Sequence, residues 1–139
     1  MPDLGFTHVA LPVSDPEASV AFYRRFGGLE VVHDRLDDGT RVVWMADGRR
    51  PFLLVLIGAA RVEHPLLPMA HLGVGCASRK EVDRLCDEAR EEGRLRLGPT
   101  DSGPPVGYWA LLSDPDGHTL EISFGQDVDA VAGRASRAG

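Results

Sequence analysis

Hydrophobic positions in this chain recur with period two in short runs, and twice they switch to the helical period. Val9, Leu11 and Val13 share one face of a strand that carries His8, Ala10 and Pro12 on the other. Ser14-Asp15-Pro16-Glu17 then reads as a helix start. Asp15 suits the N-cap, Pro16 the first helical position, and Glu17 the positive end of the dipole. Ala18, Ala21, Phe22 and Phe26 recur at helical spacing until Gly27-Gly28 ends the run. Strands are predicted over Leu29–Arg35, Arg41–Ala46 and Phe52–Ile57, with turns at Asp37-Asp38-Gly39 and Asp47-Gly48. Ala59–Pro68, which holds Pro65 and Pro68, reads as a linker.

The plan then repeats. In Met69–Cys76, Leu72, Val74 and Cys76 form the apolar face and leave His71 with Gly73 and Gly75. Ser78-Arg79-Lys80-Glu81 is a capping box, and Val82, Leu85, Cys86 and Ala89 make the stripe of a second helix that Gly93 stops. A short strand near Arg94–Leu97, a Pro/Gly/Ser-rich loop over Gly98–Gly107, and strands at Tyr108–Leu112 and His118–Phe124 complete the copy. His8 lies seven residues before Asp15, and His71 seven before Ser78. The chain is thus read as one α+β domain over residues 1–125. It holds two tandem βαβββ modules, 4–58 and 69–125, followed by a frayed Ala/Gly/Arg-rich tail, 126–139.

One strand breaks its own pattern. After the turn Asp114-Pro115-Asp116-Gly117, Leu120, Ile122 and Phe124 share one face, and Thr119, Glu121 and Ser123 share the other. A carboxylate in the middle of that strand faces either water or a cavity where it binds something. The small neighbours of His8 and His71 on their own faces leave room for a ligand beside each imidazole. Two imidazoles and a carboxylate suit Zn²⁺, Mn²⁺, Fe²⁺, Ni²⁺ or Co²⁺. The alternative is a set of inward polar residues that hydrogen-bond one another without metal.

Charge and composition narrow the partners. The 139-residue chain has a formal net charge of −6, which argues against nucleic acid and against an anionic membrane surface. No apolar run reaches transmembrane length and the N-terminus lacks a signal-peptide layout, so the expected location is cytoplasmic. Cys76 and Cys86 fall on core faces and read as small buried hydrophobes in a reducing compartment.

The doubled βαβββ plan, a His on the first strand of each copy, and Asp114-Pro115-Asp116-Gly117-His118-Thr119-Leu120-Glu121 together resemble the vicinal oxygen chelate superfamily. Its members include glyoxalase I, extradiol dioxygenases, fosfomycin-resistance transferases, methylmalonyl-CoA epimerase and bleomycin-binding proteins. The resemblance spans roughly residues 4–125 and implies sheets that curl into a cup-like half-barrel with helices outside. It further implies a homodimer and a divalent metal held by His8, His71 and Glu121, with Glu121 also the catalytic carboxylate. Whether such a cup is built within one chain or from modules of two stays open.

Departures from the family pattern are equally informative. A fourth ligand often comes from the last strand of the first copy, but Val55 aligns there, or Leu54 with a one-residue shift. Extradiol dioxygenases and fosfomycin transferases carry a Tyr ten residues before the last-strand Glu, where this chain has Leu111. The fosfomycin enzymes place a Thr two residues after the first His, where this chain has Ala10. Trp44, Val55, Trp109 and Leu111 are the expected substrate-pocket residues, with the two indoles suited to stacking on a flat ligand. His33 and Arg35 share a face of the second strand and read as solvated surface, His64 as a surface residue, and His118 as structural. Two functions remain: a metalloenzyme (lyase, isomerase or dioxygenase) acting on vicinal substrate oxygens, or a binding protein that sequesters a small molecule as bleomycin-resistance proteins do.

Overall fold

A computed structural model describes residues 5–133. The elements follow the order β1 (His8–Val13), α1 (Pro16–Gly27), β2 (Glu30–Asp37), β3 (Thr40–Ala46), β4 (Leu53–Gly58), β5 (Leu72–Gly75), α2 (Arg79–Glu91), β6 (Leu95–Asp101), β7 (Tyr108–Ser113) and β8 (Thr119–Phe124). Two compact units result, one ending at Pro65 and one beginning at Leu66. Each has a four-stranded mixed sheet, in the order β1-β4-β3-β2 in the first unit and β5-β8-β7-β6 in the second. The fold is α+β with tandem βαβββ modules. Among the described residues, no helix is long and apolar enough to cross a membrane.

In the first unit, the Asp15 carboxylate caps α1 by accepting from Ala18 N, and Gly28 closes the helix at φ 65°. The sheet face of Leu11, Val13, Val43, Met45, Leu54 and Leu56 is buried, as are α1's Phe22, Tyr23 and Phe26. The buried stripe of α1 differs from the expected one: Ser19 and Tyr23 lie inside, while Ala21 is exposed. Large rings gain more from burial than alanine does, and they set the rotation of the helix. Ser19 comes along with them, and its hydroxyl is buried with no hydrogen-bond partner among the described residues. Ser19→Ala is therefore expected to raise stability by about 1 kcal/mol in urea denaturation. A loss of stability would mean that the hydroxyl is bonded in solution.

In the second unit, Ser78 caps α2 by accepting from Glu81 N at 3.1 Å, and Glu81's own carboxylate is bonded to Arg84. Ala110, Leu112, Leu120 and Ile122 are fully buried along with Val82, Leu85, Cys86 and Ala89 of α2. Both cysteines are free thiols. Burial pushes the Cys86 thiol up to about 11.

β6 corrects the expected loop over Gly98–Gly107. The strand continues through Gly98-Pro99 to Asp101, so the loop is shorter. Its pairing with β7 slips between Leu95 and Leu97 and again between Leu97 and Thr100. Gly and Pro are tolerated because this is an edge strand with irregular pairing. At Gly98 (φ +94°) a Cβ would meet Trp109 O at 2.8 Å, so only glycine lets β6 pass β7 there.

The Asp114–Gly117 turn launches β8. Asp114 is buried, and its Oδ1 accepts from Asp116 N (2.9 Å) and His118 N (2.8 Å). Buried His118 accepts from Leu66 N through Nδ1 at 2.9 Å, and Thr119 N donates to Leu66 O. The end of the expected linker is thus tied to the start of β8, and His118 acts as the hinge pin of that tie. Of the tail expected to fray, residues 126–133 include a short helical turn, Asp129–Gly133, and residues 134–139 lie outside the described residues.

Candidate functional site

Glu121 is placed by its two neighbours. β5 runs parallel to β8 with Gly73 opposite Glu121. β7 runs antiparallel with Trp109 opposite Ser123, Leu111 opposite Glu121, and Ser113 opposite Thr119. Directly paired residues share a face, so these side chains line the side of the sheet away from the Leu120 and Ile122 core. Thr119 and Ser123 are buried there, whereas Glu121 is half-buried. Trp109 donates its indole N–H to Ser102 Oγ at 2.9 Å, which fixes the ring at the Ser123 end of this surface.

His71 stands two residues before Gly73, at the entrance to β5, and is exposed. Its Nδ1 is 2.8 Å from Met69 O. A carbonyl only accepts, so Nδ1 donates, and in the neutral ring that leaves the lone pair on Nε2, the tautomer a metal ligand needs. Alternation from Gly73 carries His71 and Gly75 on Glu121's face. A Cβ at Gly73 would meet Glu121 Oε2 at 3.4 Å, and one at Gly75 would meet nothing within 4 Å. The two glycines leave the space beside the carboxylate open, and an imidazole and a carboxylate are donor types that suit a divalent metal.

The first unit repeats this register with different side chains. His8 lies opposite Leu53, and Ala10 opposite Val55. Ala10 follows His8 as Gly73 follows His71, so Val55, not Leu54, is the counterpart of Glu121. Trp44 pairs with Val55 as Leu111 pairs with Glu121. The His33 ring lies 4.8 Å from the Trp44 ring, and the Arg35 guanidinium 5.3 Å from it, while Arg35 also bonds Asp37. His8 is exposed, with Nδ1 2.8 Å from the Thr7 hydroxyl. A hydroxyl donates or accepts, so this contact leaves the tautomer of His8 free.

The structure therefore brings Glu121 on β8 and His71 at the entrance to the neighbouring β5 into one unit, with Leu111 and Trp109 on β7, and places His8 with Val55 and Trp44 in the other. Among the described residues, no group of three or more His, Cys, Asp or Glu side chains is assembled as a metal cluster.

Arg96 escaped the sequence reading. It donates to Thr119 Oγ1 (2.5 Å), Ser113 Oγ (3.0 Å) and Gly117 O (2.9 Å), and so lies on Glu121's face. Alternation from core-facing Leu95 puts Arg96 on this face, and that was the available signal; the slip in β6 pairing then brings Leu97 to the same face.

With the fold and the paired donors established, comparison with known proteins is decisive at the family level. The model of the Glyoxalase/Bleomycin resistance protein/Dioxygenase superfamily matches residues 5–122. The chain belongs to this superfamily. An uncharacterized Pseudomonas aeruginosa protein, PA2024, is 37% identical over 125 residues, covering 88% of this chain and 89% of that one. The structure of the fosfomycin resistance protein FosX from Listeria monocytogenes, complexed with Mn(II) and sulfate, is similar in fold: TM-score 0.69, 16% identity, 91% of this chain and 97% of that chain. TnmS3, an antibiotic binding protein from Streptomyces sp. CB03234, gives TM-score 0.64 at 24% identity, covering 89% and 98%. A Mn(II)-bound resistance protein and an antibiotic binding protein thus share this scaffold.

Proposed function

We propose that this superfamily member is a divalent-metal-dependent enzyme acting on a small molecule with vicinal oxygens, a lyase, isomerase or dioxygenase, with His8, His71 and Glu121 as ligands. The observation that carries the reading is the His71–Glu121 pair. An imidazole whose Nδ1 faces Met69 O, at the entrance to β5, and a carboxylate on the adjacent β8 share a face, with Gly73 and Gly75 leaving open space beside the carboxylate. A metal held there (Zn, Mn, Fe, Ni or Co) would polarise adjacent substrate oxygens as a Lewis acid. Leu111 and Trp109 give the ligand an apolar floor and a stacking ring beside Glu121, and Trp44 and Val55 serve the same purpose in the first unit. Glu121 is the group proposed to move a proton. The protein is further proposed to be a cytoplasmic homodimer, with which its free thiols agree.

The test is elemental analysis of protein purified without chelator or a metal-affinity tag, with sedimentation to fix the oligomeric state. Near-stoichiometric transition metal in the wild type and its loss in His8→Ala and His71→Ala are expected. Full metal in His8→Ala would remove His8 from the ligand set. Co-refolding the two variants then asks which copies supply one centre: recovery of about a quarter of the wild-type metal, one intact centre in each mixed dimer, indicates ligands shared between chains, and no recovery a centre within one chain.

A second reading, ligand sequestration without turnover, is favoured by the apolar Val55 at the position matching Glu121 and by the two accessible indoles. Absence of metal, with no stability change on adding Zn²⁺, Mn²⁺ or Fe²⁺, would select it.

A further inference from the structure

Arg96 differs from the other bonded arginines of the chain. Arg24, Arg35, Arg41, Arg79 and Arg84 each meet a carboxylate. Arg96 bonds a threonine hydroxyl, a serine hydroxyl and a backbone carbonyl, all uncharged. Among the described residues no carboxylate pairs with it, so its positive charge is oriented without being neutralised there, on the sheet face that carries Glu121, in a protein whose net charge is −6. Those bonds use three of the five guanidinium N–H groups and leave two to point elsewhere. The residue is solvent-exposed, so a ligand can reach them.

We infer that Arg96 is an oxyanion-recognition residue that takes a carboxylate or phosphoryl group of the ligand bound on the Glu121 face. The inference rests on the reading of that face as the ligand face. Its geometry adds a length. Thr119, which Arg96 touches, precedes Glu121 by one same-face step, about 7 Å along a strand. Leu111 and half-exposed Leu97 lie on the same surface. The ligand class is thus a small acid, with its anionic group at Arg96, a short apolar body over the leucines, and its reactive oxygens beside Glu121. Fixing the guanidinium beforehand through Ser113, Thr119 and Gly117 lowers the ordering cost of binding. A planar guanidinium also matches oxyanion geometry better than an ammonium does.

A purely structural role, clamping the Ser113–Gly117 turn, predicts the same contacts but no affinity for anions. The experiment that separates the two is a titration of metal-stripped protein with inorganic phosphate, followed by ¹H–¹⁵N spectra that include the arginine Nε region. Trimethyl phosphate is the uncharged control. Phosphate is expected to shift Arg96 Nε and the amides of residues 113–119 in a saturable manner, and trimethyl phosphate to leave them in place. Arg96→Gln is expected to weaken phosphate binding about tenfold or more while the rest of the spectrum stays folded, and Arg96→Lys to retain part of it. Equal responses to both probes, no response in the wild type, or unchanged binding in Arg96→Gln would overturn the inference. Should Arg96→Gln fail to fold, the two wild-type titrations decide alone. Because the protein holds no metal during the titration, failure of the metal reading leaves this result intact. Metal uptake without a phosphate response would sink Arg96 and leave the metal centre standing.

Discussion

Glu121→Gln is expected to lower affinity for a divalent transition metal by about a hundredfold or more, with the thermal midpoint of the metal-free protein unchanged. The first half follows from charge. An amide oxygen is a weaker, uncharged donor, and changes even to groups behind metal ligands cost 10–100-fold. The second half follows from position. Glu121 is half-buried, and its one side-chain hydrogen bond among the described residues, from Gln126 Nε2 at 3.5 Å, is at the outer limit of a hydrogen bond. Its carboxylate therefore contributes little to folding, and an isosteric amide leaves the packing of β8 alone. Competition titration with a fluorescent chelator measures the first quantity and calorimetry the second. Near-wild-type affinity in Glu121→Gln would remove the carboxylate from the metal centre. A large drop in the midpoint would show that Glu121 is held by contacts in the fold itself.

The architecture was legible because it is written twice. The two helix starts, Asp15-Pro16 and Ser78, fall at the same distance from a strand histidine, and both caps form as expected. The alternation in β8 correctly separated Thr119, Glu121 and Ser123 from Leu120 and Ile122, because a period of two leaves no third choice. The register between strands was only half legible. Val55 and Leu54 were both admissible opposite the Glu121 position, and only the Ala10–Val55 pairing separates them. Pairing partners are set by contacts far apart in sequence, which one strand's pattern does not carry. β6 was misjudged for a related reason. Gly98-Pro99 has the composition of a loop, yet the edge strand carries it by slipping its pairing, and the slip turns Leu97 from the core onto the face that Arg96 shares with Glu121. Residues at such irregularities are where sequence periodicity fails.

The asymmetry of the two copies bears on function. Both keep the histidine before the first-strand register position, but opposite that position the first copy has Val55 and the second Glu121. Around them the roles of the neighbours are exchanged: an indole, Trp44, flanks the apolar Val55, and the aliphatic Leu111 flanks the carboxylate. The first copy thus carries an indole beside an aliphatic side chain where the second carries a leucine beside a carboxylate.

Asp114→Ala is expected to destabilise the protein by about 3 kcal/mol, the largest single loss predicted for any polar side chain here. Asp114 is 2% exposed, and its Oδ1 receives both Asp116 N and His118 N. Truncation removes two charge-assisted hydrogen bonds. Asp116 is half-buried and its N–H can turn to water, but His118 is 1% exposed and its N–H would stay buried without an acceptor. His118 in turn anchors Leu66, so the loss reaches the tie between the chain entering the second unit and β8. For a chain of this length a loss of that size lowers the thermal midpoint by on the order of 10 °C. Asp114→Asn keeps an acceptor oxygen at the same place and is expected to recover most of the loss. A value within about 1 kcal/mol of wild type for Asp114→Ala in urea denaturation would mean that water enters the turn and serves His118 N. Below its midpoint, Asp114→Ala should still bind metal within a few-fold of wild type, because the turn starts β8 but supplies no ligand. Loss of metal from a folded Asp114→Ala would show that the placement of Glu121 depends on the turn as well as on the sheet.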